Sequence, residues 1–295
     1  MANTFITPTL VARTALATLY NESVMLPLVW KDFSSEFSSN QGYTVTVRKP
    51  ATFTANTYNQ ALGISLQNVT ETSTSVALDT IYDVSIPITS KDATLEIGDF
   101  TAQVIQPAME AISQAIDTLI LSLRDDVVHS ITAGKYVAAS NPNPTFDLID
   151  AGRTLTTYKV PNVNRTAVID QYIAAHWKRD ALANRADARG DAGTALREAA
   201  VGKLFGFDTY ETNNISDFTG VAFHPTAFAF VTRPMDLPKG AANASVQSYK
   251  GLSVRVIYDY DITYKQDVVS IDILCGVKTM DANRAVLING LADSV

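Results

Sequence analysis

The sequence predicts an α+β fold, because a long stretch of helical periodicity stands between segments that alternate at the period of a strand, without a regular βαβ rhythm. The helical stretch carries Ile112, Ile116, Leu119, Leu123, Val127 and Ile131 at steps of three or four, so these side chains share one face. The strand signal is as plain. Tyr43, Val45 and Val47 alternate with Thr44, Thr46 and Arg48, and Val76, Leu78, Tyr82, Val84, Ile86 and Ile88 fall on one side of a longer run. Further strand-like segments follow at residues 251–260, 268–277 and 284–288.

In chain order, residues 1–37 read as an N-terminal arm. Thr7 followed by Pro8 is an N-cap with proline in the first turn, and Leu10, Val11, Ala15, Leu16, Leu19 and Tyr20 mark an amphipathic helix ending near Asn21. Residues 24–30 are then apolar, broken by Pro27, and such a surface needs something to lie on. Residues 38–92 read as a long two-stranded loop. Its strands are joined by residues 49–72, rich in Thr, Asn, Gln and Ala, too long for a tight turn and without a helical stripe. A two-stranded ribbon is marginal alone in water, so this one is expected to rest on another surface, such as a second subunit.

The helix is read over residues 99–133, with Asp99 as N-cap beside Gly98, and with Gly134 and the Asn141-Pro142-Asn143-Pro144 cluster as its end. Pro107 either kinks it or occupies the first turn of a helix that begins later. At 1.5 Å per residue such a helix spans about 50 Å and implies an elongated molecule. Beyond it, Asp147 caps a helix to about Tyr158, residues 165–170 form a short buried strand, and residues 171–182 form a helix containing His176, Trp177, Lys178 and Arg179. A loop of Ala, Gly, Asp and Arg at 184–194 leads to a helix at 196–205, a strand at 207–211 and an apolar strand segment at 220–232 interrupted by His224 and Pro225.

With 295 residues the chain is long enough for one large domain or two smaller ones. It is 46% hydrophobic and only 18% charged, which leaves the neutral surface expected of a protein packed against copies of itself, though an ordinary monomer fits as well. Lys and Arg number 23 against 30 Asp and Glu, a net charge of −7, so attraction to phosphate backbones is disfavoured. The arginines of residues 184–194 do not reverse this, since Asp187 and Asp191 offset them. The single cysteine, Cys275, lies in the apolar run 271–277; it excludes an internal disulfide and reads as a small core residue. The start of the chain lacks a basic segment followed by an apolar core, and no apolar run reaches membrane-spanning length, so a cytoplasmic chain with no membrane partner is expected.

No catalytic, cofactor-binding or metal-binding residue is assigned. His129, His176 and His224 are far apart, none has a second ligand three or four residues on, and His129 is placed on the polar face of the long helix. Gly202-Lys203 lacks the rest of a phosphate loop, and no Gly-x-Ser-x-Gly elbow occurs. Asp125 with Asp126, and Asp259 with Asp261, read as solvated carboxylates rather than a calcium loop, whose ligand number they do not reach.

Four stretches carry a family resemblance: Asn3-Thr4-Phe5-Ile6-Thr7-Pro8, Gly42-Tyr43-Thr44-Val45-Thr46-Val47-Arg48-Lys49-Pro50, Gly220-Val221-Ala222-Phe223-His224-Pro225-Thr226-Ala227-Phe228 and Asp272-Ile273-Leu274-Cys275-Gly276-Val277. In this element order the chain resembles the tailed-phage major capsid proteins of the HK97 fold, and among them the coat-protein branch related to phage P22. The resemblance covers nearly the whole chain and rests on element order and loose motifs, not on a catalytic signature. It implies an N-terminal arm (1–37), an extended loop (38–92), a peripheral domain with a spine helix (93–145), an axial domain (146–247) and peripheral return strands (248–295). It makes Arg48, Lys49, Phe53, Tyr58 and Leu62 candidates for the subunit interface.

What the resemblance implies for function is a structural protein and no enzyme. Hexamers and pentamers of the chain would close an icosahedral shell around packaged double-stranded DNA. A separate scaffolding protein and a portal protein would be partners, with assembly in the host bacterial cytoplasm and residence in the virion capsid. The inserted domain of the P22 coat has no counterpart in this sequence, and Lys49 alone does not establish a crosslink between subunits. Two other readings stay open. One is an encapsulin-like nanocompartment with a protein cargo, and the other a soluble α+β enzyme, which would be a monomer or small oligomer where a shell protein gives large particles.

Overall fold

The apolar stripe at the centre of the sequence folds as a helix, though a shorter one than its spacing predicts. The structure, a computed structural model, describes residues 23–31, 44–49, 72–89, 105–132, 146–178, 202–216, 218–240, 243–249, 252–264 and 266–289, with single positions between 12 and 19 and between 53 and 68. Helix α1 (Gln106–Ser122) begins with Pro107 in its first turn, where a missing N–H costs nothing. It buries Ala108, Met109, Ile112, Ile116, Ile120 and Leu121, and its 17 residues span about 25 Å, half the expected length. Residues 123–126 tighten into a 3₁₀ turn, and Val127 is already extended. The chain then enters strand β4 (His129–Thr132), which pairs in parallel with a strand near the C-terminus, His129 opposite Val286 and Thr132 opposite Asn289. The β-branched Val127, Val128, Ile131 and Thr132 favour that extended path, and the partner lies too far along the chain for local spacing to reveal. His129 therefore stands on a strand, not on the polar face of a helix; Asp99 and Ala133 lie outside the described residues.

Three sheets organise the rest. Strands β1 (Thr44–Lys49) and β2 (Thr72–Ala77) pair antiparallel as a two-stranded ribbon, with Thr44 opposite Ala77 and Lys49 opposite Thr72. A five-stranded antiparallel sheet contains β3 (Thr80–Thr89), β9 (Phe228–Arg233), β10 (Asn243–Tyr249), β11 (Leu252–Asp261) and the long β12 (Gln266–Thr279). Leu274 of β12 is opposite both Ile81 of β3 and Arg233 of β9, so those strands lie on opposite edges, and β9 continues the edge that β11 leaves at Asp272. The third sheet has the order β4, β13 (Ala285–Asn289), β8 (Thr219–Phe223), β5 (Arg165–Ile169), β7 (Phe207–Glu211) and β6 (Lys203–Leu204). Its companions are helices α2 (Asp147–Thr157) and α3 (Gln171–Lys178).

Strand alternation decides which core each side chain joins. On the five-stranded sheet, Val254, Val256, Val269, Ile271, Ile273 and Cys275 face α1 and its Met109, Ile112, Ile116 and Ile120. The six-stranded sheet is covered on both sides at its centre. Val168, Val221, Phe223 and Ala285 join that first core, while their neighbours Ala167, Ile169, Ala222, Val286 and Ile288 face Leu148, Leu155, Ile173 and Trp177 of α2 and α3. Burial on both faces is why 167–169 and 220–223 read as continuous apolar runs. Cys275 is a core residue, its thiol pushed up to about 12 by burial, first, and by Asp79.

Three connections between described elements each run through a single 3₁₀ turn: Leu123–Asp126 leads from α1 to the six-stranded sheet, and Pro225–Ala227 and Ala282–Arg284 pass from one sheet to the other. They bond to one another. Arg284 Nη1 donates to Thr226 Oγ1 at 2.7 Å, the Met280 N–H to the Ala227 carbonyl at 2.8 Å, and Thr279 Oγ1 to Asp126 Oδ2 at 2.8 Å. Arg124 adds bonds to Ser216 at 2.7 Å and Thr219 at 3.2 Å. The joint between the lobes is thus held by side chains as well as by chain continuity.

The N-terminal arm finds its surface on its own subunit. Ala12, Ala15, Leu16 and Leu19 are helical and buried in the first core, with Met25, Leu26 and Val29. Trp30 bridges to Ala229, its N–H donating to the Phe228 carbonyl at 3.2 Å. The arm is fastened by one carboxylate. Asp117, buried among the apolar residues of α1, accepts from the Ser23 hydroxyl and from the Val24 and Met25 N–H groups at 2.9 and 3.1 Å. Burial raises its pKa above the usual carboxylate value, with bonds from Ser23, Val24, Met25 and Asn214 acting the other way. Asp117→Ala leaves those donors without their acceptor and is expected to cost about 1–3 kcal/mol. A urea midpoint lowered accordingly, together with faster proteolysis of the arm, would be the signature; an unchanged midpoint would show that the arm does not depend on this carboxylate.

Two further sequence expectations are corrected. Residues 203–205 are not helical: Lys203 and Leu204 form β6, and Gly202, Phe205 and Gly206 have φ of 63°, 47° and 88°, a left-handed conformation no right-handed helix contains. Asp147 is the first residue of α2 and not its cap, which is Phe146 with no side-chain capping bond. Asp147 is buried instead, and that burial, with Asp150 nearby, pushes its carboxyl from 3.8 up to about 7. A raised carboxyl pKa means that the folded state holds its proton more tightly than the unfolded chain. The contribution is complete below pH 3.8 and is lost as pH rises through about 7. Asp147→Asn is therefore expected to stabilise the protein at pH 8 by about 1–2 kcal/mol, allowing for partial solvent contact, with the gain shrinking towards pH 4. Thermal melts of both proteins across that range check it, and a gain that does not vary with pH would refute the assignment.

Candidate assembly surfaces

The ribbon of β1 and β2 exposes more apolar surface than a loop in a monomer should. Among the described residues of its tip, Phe53 is 64% exposed, Tyr58 69%, Ile64 79% and Leu66 90%. The described positions around these side chains are exposed as well, and none of the four belongs to a described core. Two of them, Phe53 and Tyr58, are interface candidates from the sequence. Arg48 and Lys49 stand on β1, where they pair with Ser73 and Thr72, and Leu62 lies outside the described residues. Ile64 and Leu66 were not singled out, although large apolar residues in a Thr- and Asn-rich stretch are the signal that would have found them.

The ribbon leaves the body at a tight crossing. Val76 and Leu78 bury against Ala229, Val231 and Met280, and the chain at Ala77 runs across β12 at Gly276. From Thr80 the same chain becomes β3, with Tyr82, Val84 and Ile86 turned inward and Ile81, Asp83, Ser85 and Pro87 exposed. The outward side of this sheet is polar. Arg255 grips Asp272 with Nε at 3.0 Å from Oδ1 and Nη2 at 2.5 Å from Oδ2, and Ser270 donates to Asp83 at 2.7 Å. At the β11–β12 turn Tyr260, Ile262 and Tyr264 are all exposed, a second apolar patch at the end of the sheet.

The residues weighed for chemistry are dispersed. His129 stacks on Tyr158 at 4.2 Å and shares a 3.0 Å hydrogen bond with Asn283 Oδ1, while His224 caps a 3₁₀ turn with its ring nitrogen 2.8 Å from Thr226 Oγ1. Asp259 and Asp261 accept from the backbone N–H groups of Tyr260 and Thr263, both at 2.8 Å, as carboxylates at a turn do. Among the described residues no His, Cys, Asp or Glu cluster has a metal-binding arrangement.

No protein-family model and no curated protein matches this chain. Solved structures do match, over most of its length. A structure of Mycobacterium phage Che8 is 23% identical, with 90% of this chain and 91% of that one covered at a TM-score of 0.67. A capsid structure of the cyanophage P-SCSP1u is 12% identical, covering 86% and 85% at 0.61. The chain has the HK97-like capsid fold. The same fold extends to a virus-like particle from Pyrococcus furiosus, 10% identical, with 95% and 97% covered at a TM-score of 0.54. The exposed apolar side chains of the ribbon tip and of the β11–β12 turn belong to none of the described cores.

Proposed function

We propose that the chain is the major capsid protein of a tailed bacteriophage, assembling through hexamers and pentamers into an icosahedral shell around packaged double-stranded DNA. The observation that carries this reading is the match of some nine-tenths of the chain to phage structures at TM-scores up to 0.67. Its role is structural rather than enzymatic. In this reading residues 1–37 are the arm, 38–92 the extended loop, 93–145 the peripheral domain with α1 as spine helix, 146–247 the axial domain and 248–295 the return strands. Arg48, Lys49, Phe53, Tyr58 and Leu62 meet a neighbouring subunit. Similarities of 10–23% identity support the fold and do not select the branch related to the P22 coat.

A separate scaffolding protein and a portal complete the proposed assembly, in the host cytoplasm and then the virion. No described helix is long and apolar enough to cross a membrane. The net charge of −7 suits the role, since a shell around packed DNA should not adhere to it through many phosphate contacts. The virus-like particle among the structural neighbours favours one second reading, an encapsulin-like shell. Electron microscopy of the expressed protein tests the proposal: closed particles of uniform size support a shell, and a monomer or small oligomer at every concentration and in the presence of candidate scaffolds overturns it. The contents of particles isolated from the native source separate the two shells, double-stranded DNA for the phage and protein for the compartment.

A further inference from the structure

A groove on the six-stranded lobe, away from both apolar patches, has the features of a built site. It encloses about 660 Å³ between α2 and the β6–β7 turn, large enough for a side chain with a charged group attached. Its walls are Ile149 of α2 and Phe205 of the turn, both close to half exposed. Arg153 is at the rim and Arg165 in the floor, and among the described residues no carboxylate lines it. In a chain of net charge −7, a groove lined by two guanidinium groups and no acid is out of character.

Arg165 is 95% buried, its residue exposure being 5%, and among the described residues no carboxylate pairs with it. Its Nε donates to the Pro161 carbonyl at 2.9 Å, Nη1 to the Gly152 carbonyl at 3.2 Å, and Nη2 to Thr156 Oγ1 at 3.1 Å and the Val160 carbonyl at 2.8 Å. Among the described residues, neutral oxygens thus hold the fork in place, with the Phe207 ring 6.0 Å from its carbon, and no carboxylate supplies a counter-charge. Gly152 keeps the approach open: a Cβ there would stand 3.7 Å from Nη1. Arg153 is largely exposed, with its Nε 3.5 Å from Asp150 Oδ1.

The wall is as unusual as the floor. Phe205 has φ of 47° and Gly206 of 88°, a two-residue hairpin turn whose first position normally goes to Asn, Asp or Gly. A bulky aromatic in that conformation costs stability, yet its ring is not buried; it rests edge-on against Phe146 at 6.4 Å and borders the groove. We propose that this groove binds an acidic segment of a partner protein, taking an apolar side chain between Ile149 and Phe205 and an adjacent carboxylate onto Arg153 and Arg165. Charge complementarity selects the acidic occupant, and the inference holds whether the shell is a phage capsid or a protein compartment.

Two substitutions separate binding from folding. Gly152→Ala adds a methyl at ordinary contact distance, 3.4 Å from the Phe207 ring, and covers Nη1; Phe205→Asn relieves the left-handed strain and removes the wall. Both variants are expected to melt no lower than the parent. The probe is N-acetyl-L-phenylalanine, an aromatic carboxylate, compared with its neutral amide and with inorganic phosphate by NMR titration. The parent is expected to bind the carboxylate in the millimolar range, about tenfold tighter than the amide or phosphate, and each variant to lose about tenfold. Equal binding of acid and amide, phosphate binding as tight as the probe, no binding by the parent, or full binding by both variants would each overturn the proposal.

Discussion

Gly276→Ala is expected to prevent the chain from folding to a soluble subunit. A Cβ at this position would lie 1.9 Å from the Ala77 carbonyl oxygen, 2.9 Å from its carbon and 3.3 Å from Leu78 Cα. All three are backbone atoms, so no rotamer change relieves the overlap, and the chain between β2 and β3 must lift off β12. That movement pulls at the ten-position pairing of β3 with β12 and at the buried Val76 and Leu78. The cost should exceed about 4–5 kcal/mol, comparable with the whole stability of a domain. Gly240→Ala is the control, because a Cβ there meets nothing within 4 Å. Soluble fraction and circular dichroism read the outcome. Soluble Gly276→Ala protein with the parent's melting temperature would show that the crossing of the ribbon over β12 is wrong.

That glycine lies inside a run that the sequence identifies as a strand, yet nothing local marks it as the point where the chain passes overhead. The same limit recurs across the fold. Strands with one face inward, such as β3 and β11, are legible from alternation, and strands buried on both faces, such as β8 and the end of β5 at 167–169, from a run of apolar residues. Residues 127–132 deceive because spacing of four continues through Leu123, Val127 and Ile131 while the backbone changes from helix to strand for a partner at 286–289. Strand β10 is missed for the opposite reason: Asn243 to Tyr249 carry little apolar character, and an edge strand is held by its backbone bonds to β11. The glycine at 251, just before a strong strand pattern, is the sequence clue that marks it. Asp117 is invisible as an anchor, since a lone carboxylate in a helix reads as its polar face until the arm is seen to close over it.

Replacing residues 54–67 by a short glycine-containing turn is expected to abolish shells while leaving the subunit folded. The described side chains of this stretch are exposed, and both cores, the helix α1 and the three 3₁₀ turns of the joint are built from residues elsewhere. Circular dichroism and the thermal transition should therefore match those of the unassembled parent. Assembly is another matter. If Tyr58, Ile64 and Leu66 are buried on a neighbour, each is worth about 1.5–3 kcal/mol, offset in part by the ordering of the loop. Repeated at every subunit, that loss turns a reversible but closing contact into one that does not close, and sedimentation should show only small species. Single substitutions grade the effect: Leu66→Ser alone should raise the protein concentration needed for assembly about tenfold or more. A monomer that used this loop for nothing would keep its size and stability after the deletion, since an exposed loop tip tolerates shortening. Normal closed particles from the deleted protein would remove the tip of the ribbon from the assembly interface, and Tyr58 and Leu62 with it.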